Sequence, residues 1–226
     1  MHIMKKIFIM ALGILLCATC IEAQTSKEVI KERKKIARLS RIELNEKASR
    51  DARREAKTNE REGWKTAPGH LPLEKQFDKA YLMQYEYDSN MYPKYMFGEA
   101  MSVGESYDAA MMQALELAKL NLAGQIQTEM TALIQNTVSN RQLPEEQAAS
   151  ITETILASKN RISQSLGRII PVIELYRDKE NKRKEVRIMI AYDSNMAFEA
   201  VKNSIREDLN AKGDSLMEEL DKIINF

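Results

Sequence analysis

Apolar and polar positions along this chain change period several times, and each change predicts an element. Over residues 107–139, Met111, Leu115, Ala118, Leu122, Ile126, Met130, Leu133 and Thr137 recur at spacings of three and four. That is the period of one helix face, so a single long helix is predicted. Ala109, Ala110, Ala114, Ala123 and Gly124 add small residues that permit close approach to a neighbour. Ser106 precedes it as a good N-cap, and Asp108 in the first turn complements the helix dipole. A turn over 139–144 follows, and Pro144-Glu145-Glu146 opens a second helix running to about residue 166. Its inward positions are Ala148, Ile151, Ile155, Ile162 and Leu166, and Gly167 stops it. Period two then takes over. In 185–192, Val186, Ile188, Ile190 and Tyr192 share one face of a strand. Residues 168–177 form the preceding strand, where Pro171 marks an edge or a bulge. The polar loop 178–183 is short, so this hairpin is antiparallel. Another strand is predicted over 95–103. Asp193-Ser194-Asn195 caps a last main helix with Ala197, Ala200, Val201, Ile205 and Leu209 inward. After Gly213 a short amphipathic helix carries Leu216, Leu220, Ile223 and Ile224.

The order strand-helix-helix-strand-strand-helix over 95–226 predicts a two-layer α+β core domain. Its small, mainly antiparallel sheet has about three strands packed against long helices. Upstream, 63–94 reads as a hinge and a helix leading into that core. Gly63, Pro68, Gly69 and Pro72 break the chain, and Leu73, Phe77, Ala80, Tyr81 and Tyr85 then fall at helical spacing. Tyr81, Tyr85, Tyr87, Tyr92 and Tyr95 cluster here. Helical spacing favours packing in the core over a platform for carbohydrate.

Charge changes the picture further upstream. Residues 27–62 hold thirteen Lys or Arg and eight Asp or Glu, a net of +5, with no Gly or Pro. Asp51 with Arg54 and Glu43 with Lys47 sit at helical spacing, whereas the apolar positions are sparse and mostly small. Residues 24–62 are therefore expected to form a charged helical extension. It is either a solvated spacer or a contact with an anionic surface, including peripheral contact with a membrane.

Lys5 and Lys6 precede an apolar run over 7–18, too short for a span of about 20 residues and the right length for a secretory leader. A signal peptide over 1–23 is predicted, cut between Ala23 and Gln24. Cys20 is a poor acceptor for a lipid anchor, because the aliphatic Leu16 stands one place too early. Processing removes both cysteines, which excludes disulfides and thiolate chemistry from the mature chain. Export to the periplasm or the outer membrane follows, and with it a role away from nucleic acid.

Candidate chemistry is sparse. There is no phosphate-cradling glycine loop, nucleophile elbow or metal-ligand spacing, so no catalytic, cofactor-binding or metal residues are expected. His70, the one histidine left after processing, sits in a Pro/Gly turn and reads as a surface-loop residue. Trp64 reads as a cap on the start of the core. Glu74, Glu99, Glu129 and Glu174 lie in or beside apolar segments, but none stands at a spacing that makes a carboxylate pair for glycoside cleavage.

The runs Gly98-Glu99-Ala100, Ser106-Tyr107-Asp108-Ala109-Ala110, Ala114-Leu115-Glu116-Leu117-Ala118 and Leu122-Ala123-Gly124-Gln125-Ile126 resemble the Lpp-twenty family of bacterial envelope lipoproteins. The later Ser163-Gln164-Ser165, the strand pair and the helix at Met196-Ala197 fit the same pattern, over about 95–209. The resemblance implies a compact α+β envelope domain, lipid-anchored or part of a larger surface assembly, and gives no reaction. The poor lipobox and the basic N-terminal segment depart from it. The expected function is that of a non-enzymatic exported envelope protein whose partner is an envelope protein or a second copy of itself. The alternatives are a carbohydrate- or peptidoglycan-binding module and an envelope polymer hydrolase.

Overall fold

The computed structural model describes residues 30–32, 34–35, 38, 46–89, 91–140 and 143–224. The predicted leader, its cut after Ala23 and Cys20 lie outside the described residues. The chain divides into two units, 1–47 and 48–226. In the first, Ile30, Lys31, Glu32, Lys34, Lys35 and Arg38 are helical and exposed.

The second unit contains α1 (Arg50–Arg61), β1 (Lys65–Thr66), α2 (Leu73–Gln84), β2 (Tyr95–Gly104), α3 (Tyr107–Ser139), α4 (Glu145–Ala157), α5 (Lys159–Ser165), β3 (Ile170–Asp178), β4 (Lys184–Asp193), α6 (Ser194–Lys212) and α7 (Asp214–Ile224). The four strands form one antiparallel sheet in the order β1-β3-β4-β2. The expectation of about three strands missed β1. That strand is two residues long and stands between glycines and prolines, where neither period nor propensity marks it.

On one face of the sheet, Val186, Ile188, Ile190 and Tyr192 of β4 pack with α3 to α7, and this is the α+β core expected. The inward residues predicted for α4 to α7 are buried, apart from Ile224, which is partly so. In α3 the stripe is rotated. Ala110, Ala114 and Ala118 are fully buried, whereas Met111 and Leu115 lie at the flank. This face of α3 runs close against the glycines of β2, Gly98 and Gly104. A Cβ at Gly98 would lie 2.2 Å from the Ala118 carbonyl oxygen and 2.7 Å from Leu122 Cβ. Backbone therefore meets backbone there, and again at Gly104, where a Cβ would lie 2.7 Å from the Ala110 nitrogen. The buried Ser102 hydroxyl, 2.6 Å from the Ala110 carbonyl, fixes the same contact.

The single helix expected to about residue 166 is broken at Ser158 into α4 and α5. Ser158 Oγ donates to the Ile155 carbonyl at 2.7 Å, and Gln127 Nε2 donates to the Ile155 and Leu156 carbonyls. Side chains thus take over acceptors that a continuing helix would use.

The other face of the sheet carries α1 and α2. Ala48, Ala52 and Ala56 pack with Phe77, Ala80 and Met83, over Val172, Ile173 and Leu175 of β3. The charged extension expected through residue 62 therefore stops being an extension at Ala48. Alanines at positions 48, 52 and 56 supply a narrow stripe, enough to dock on α2.

Candidate functional site

A cleft opens where β3 runs past the end of β1. β1 pairs with only Leu175 and Tyr176, so the edge of β3 from Ile170 to Glu174 lacks a neighbouring strand on that side. The ladder with β4 shifts register between Pro171 and Ile173, the bulge that Pro171 signalled. The loop 67–72 and α2 face this irregular edge. The cleft holds about 230 Å³ and is lined by Gly69, His70, Leu71, Gln76, Lys79 and residues 171–174.

Local sequence holds the walls in place. Pro68 and Gly69 occupy the centre of a turn closed by the His70 N–H on the Ala67 carbonyl at 3.1 Å. Gly69 has φ +86, which the second central residue of a type II turn requires and glycine adopts without strain. Gln76, one turn into α2 and buried, bridges loop and strand. Its Nε2 donates to the Leu71 carbonyl at 2.8 Å, and its Oε1 accepts from the Glu174 N–H at 2.7 Å. One amide thereby closes the loop and satisfies the strand edge. Three residues on, Lys79 Nζ donates to the Pro171 carbonyl at 3.2 Å. Burial pushes the Lys79 ammonium below its ordinary range.

Glu174 is the buried charge of the site. The Tyr107 hydroxyl, from the first turn of α3, donates to Glu174 Oε1, and His70 Nδ1 lies 3.5 Å from the same oxygen. Burial, then the bond to Glu174, pushes the Tyr107 phenol far above its ordinary range, so it remains a donor. Behind it, Tyr107 and Tyr176 meet edge to face with centroids 5.5 Å apart.

The site thus joins residues that are distant in the chain. His70 lies in a surface loop, as expected, but it faces Glu174. Of the acidic candidates, Glu99 lies on β2 beside Arg187, and Glu129 lines a separate shallow hollow of α3 with Lys159. Glu74 stands in the first turn of α2. Neither cleft unites two of these candidates. Among the described residues no group of three His, Cys, Asp or Glu side chains converges as a metal site would require. Nor is any described helix long and apolar enough to cross a membrane. Lys79, Gln76 and Tyr107 carried no signal in sequence, because each becomes polar equipment of a cleft only through tertiary placement.

The tyrosines divide. Tyr81 and Tyr95 are partly buried against the α1–α2 layer. Tyr85, Tyr87 and Tyr92 are exposed in the turn after α2, together with Met91 of the turn and Leu82 of the last turn of the helix. Core packing was expected for them. The reason it fails is local: α2 ends at Gln84, so Tyr85 leaves the helical stripe, and Tyr87 pairs with Pro93 in a small bridge outside the body of the sheet. Trp64 is buried as expected, with the Arg177 guanidinium 4.4 Å above its ring.

Neither the models of known protein families nor the curated proteins contain a match to this chain.

Proposed function

We propose that this protein is an exported, non-enzymatic component of the bacterial cell envelope that works by contact with a partner protein, through the turn between α2 and β2. The observation that carries the reading is the exposure of Tyr85, Tyr87 and Tyr92 together with Leu82 and Met91. Tyrosine and methionine are enriched at protein interfaces, where large rigid side chains give contact area at low entropic cost. The leader over residues 1–23 and the resemblance of residues 95–209 to the Lpp-twenty lipoproteins support the compartment. Contact between two copies is a variant of the same reading.

A second reading, binding to envelope glycan, draws on the same tyrosines, since exposed aromatic rings are suited to stacking on sugar faces. Two experiments separate them. A photo-crosslinking residue at Tyr87 should yield an adduct with a protein in the native envelope, or with a second copy. Isolated sacculi should not sediment the purified chain. Sedimentation with sacculi, lost in a Tyr85→Ser, Tyr87→Ser, Tyr92→Ser variant, transfers the assignment to glycan. A strictly monomeric chain that forms no adduct and retains no partner sinks both. Recovery of the unprocessed product from the cytosol of the native host removes the envelope from the proposal.

A further inference from the structure

The cleft at the edge of β3 presents a half-buried ammonium that no carboxylate among the described residues pairs with. The one partner shown for Lys79 is the neutral Pro171 carbonyl, leaving two of its three donors for something else. Withdrawing a cation from water without a counter-charge is costly, and a ligand anion would offset that cost. Beside it the wall is apolar and rigid: Leu71, the Pro171 ring, Val172 and Ile173. A carboxylate lines the same cleft, because Glu174 is buried there with Tyr107 and His70 at its Oε1. That charge disfavours phosphate or any other dianion. The volume of about 230 Å³ is below the roughly 300–1,000 Å³ of clefts that take drug-sized molecules.

We propose that this cleft binds a small monocarboxylate with a branched apolar tail, about the size of one amino-acid residue, its carboxylate on Lys79 Nζ and its tail along Leu71, Pro171 and Val172. The site is independent of the tyrosine turn, so it stands or falls separately from the contact function.

N-acetylvaline is a suitable probe, and N-acetylvalinamide keeps its shape without the charge. Titration of the full processed chain, followed by amide chemical shifts, should show saturable binding of the acid that perturbs residues 69–79 and 171–174. The amide should bind about tenfold or more weakly, the ratio expected when one charge-assisted hydrogen bond is lost. Lys79→Met should remove the preference for acid over amide, and Lys79→Arg should retain it. Unchanged circular dichroism and melting temperature in both variants exclude loss of fold. A tripeptide ending in valine tests the source: binding as tight as that of the acid assigns the cleft to peptide C-termini, and weaker binding to free acids. Equal affinity for acid and amide, binding by Lys79→Met as tight as by the parent chain, or the absence of saturable binding at millimolar acid each overturns the proposal.

Discussion

Single residues here matter most where backbones come close. Gly98 is required by space, since any Cβ at that position meets the α3 backbone. Gly98→Ala should cost about 1–3 kcal/mol, read as a lower midpoint in denaturant with an unchanged slope. An unaltered midpoint would mean that β2 and α3 stand further apart than described. Gln76 is the second such residue. Gln76→Ala leaves the Glu174 N–H and the Leu71 carbonyl without their partner, at a cost of about 1–3 kcal/mol. It should also speed hydrogen exchange in the loop 67–72 more than in β4. Both roles were hidden in sequence for the same reason. Gly98 and Gln76 match no pattern of period or spacing, and Ala118 and Leu122 for the one and Glu174 for the other are distant in the chain.

At the scale of elements, the hairpin and the α1–α2 pair each carry a titratable clasp. On the hairpin, Arg177 Nε lies 2.5 Å and Lys179 Nζ 3.2 Å from Glu185. Burial acts to raise the Glu185 carboxyl, but the two cations together hold it below its ordinary value. A carboxyl held lower in the folded than in the unfolded chain stabilises the fold above its unfolded value. That contribution disappears as pH falls through the folded value. Glu185→Gln should therefore lower stability at neutral pH and flatten its decline below about pH 4.5. Between α1 and α2, the Tyr81 hydroxyl donates to Glu55, and that bond, with some burial, pushes the phenol up to about 12 from 10.0. Here the sign reverses. The contribution is complete below pH 10 and is lost as pH rises toward 12, so Tyr81→Phe should abolish an alkaline step in thermal melts. Legibility followed pattern strength. The alternation in β4 and the stripe of α6 were plain, because each buries one continuous face. The Ser158 break was hidden, because Gln127 of another helix helps to enforce it.

At the scale of the whole molecule, the larger unit places helices on both faces of a four-stranded sheet and exposes Tyr85, Tyr87 and Tyr92 in the turn between α2 and β2. Replacing Tyr85, Tyr87 and Tyr92 together by Ser should change the melting temperature little, since all three are exposed. A drop of many degrees would instead mean that these rings support the fold. The link from β2 to α3 carries a consequence of its own. Only Glu105 and Ser106 separate the glycine-bearing strand from the alanine-lined helix. One extra residue there would turn α3 by about 100° and put Leu117 and Asn121 in the places of Ala118 and Leu122 against Gly98. Those two positions thus act as a ruler. Natural variants should tolerate a change of side chain at Glu105, keep a capping residue at Ser106 and reject any change in the length of the link.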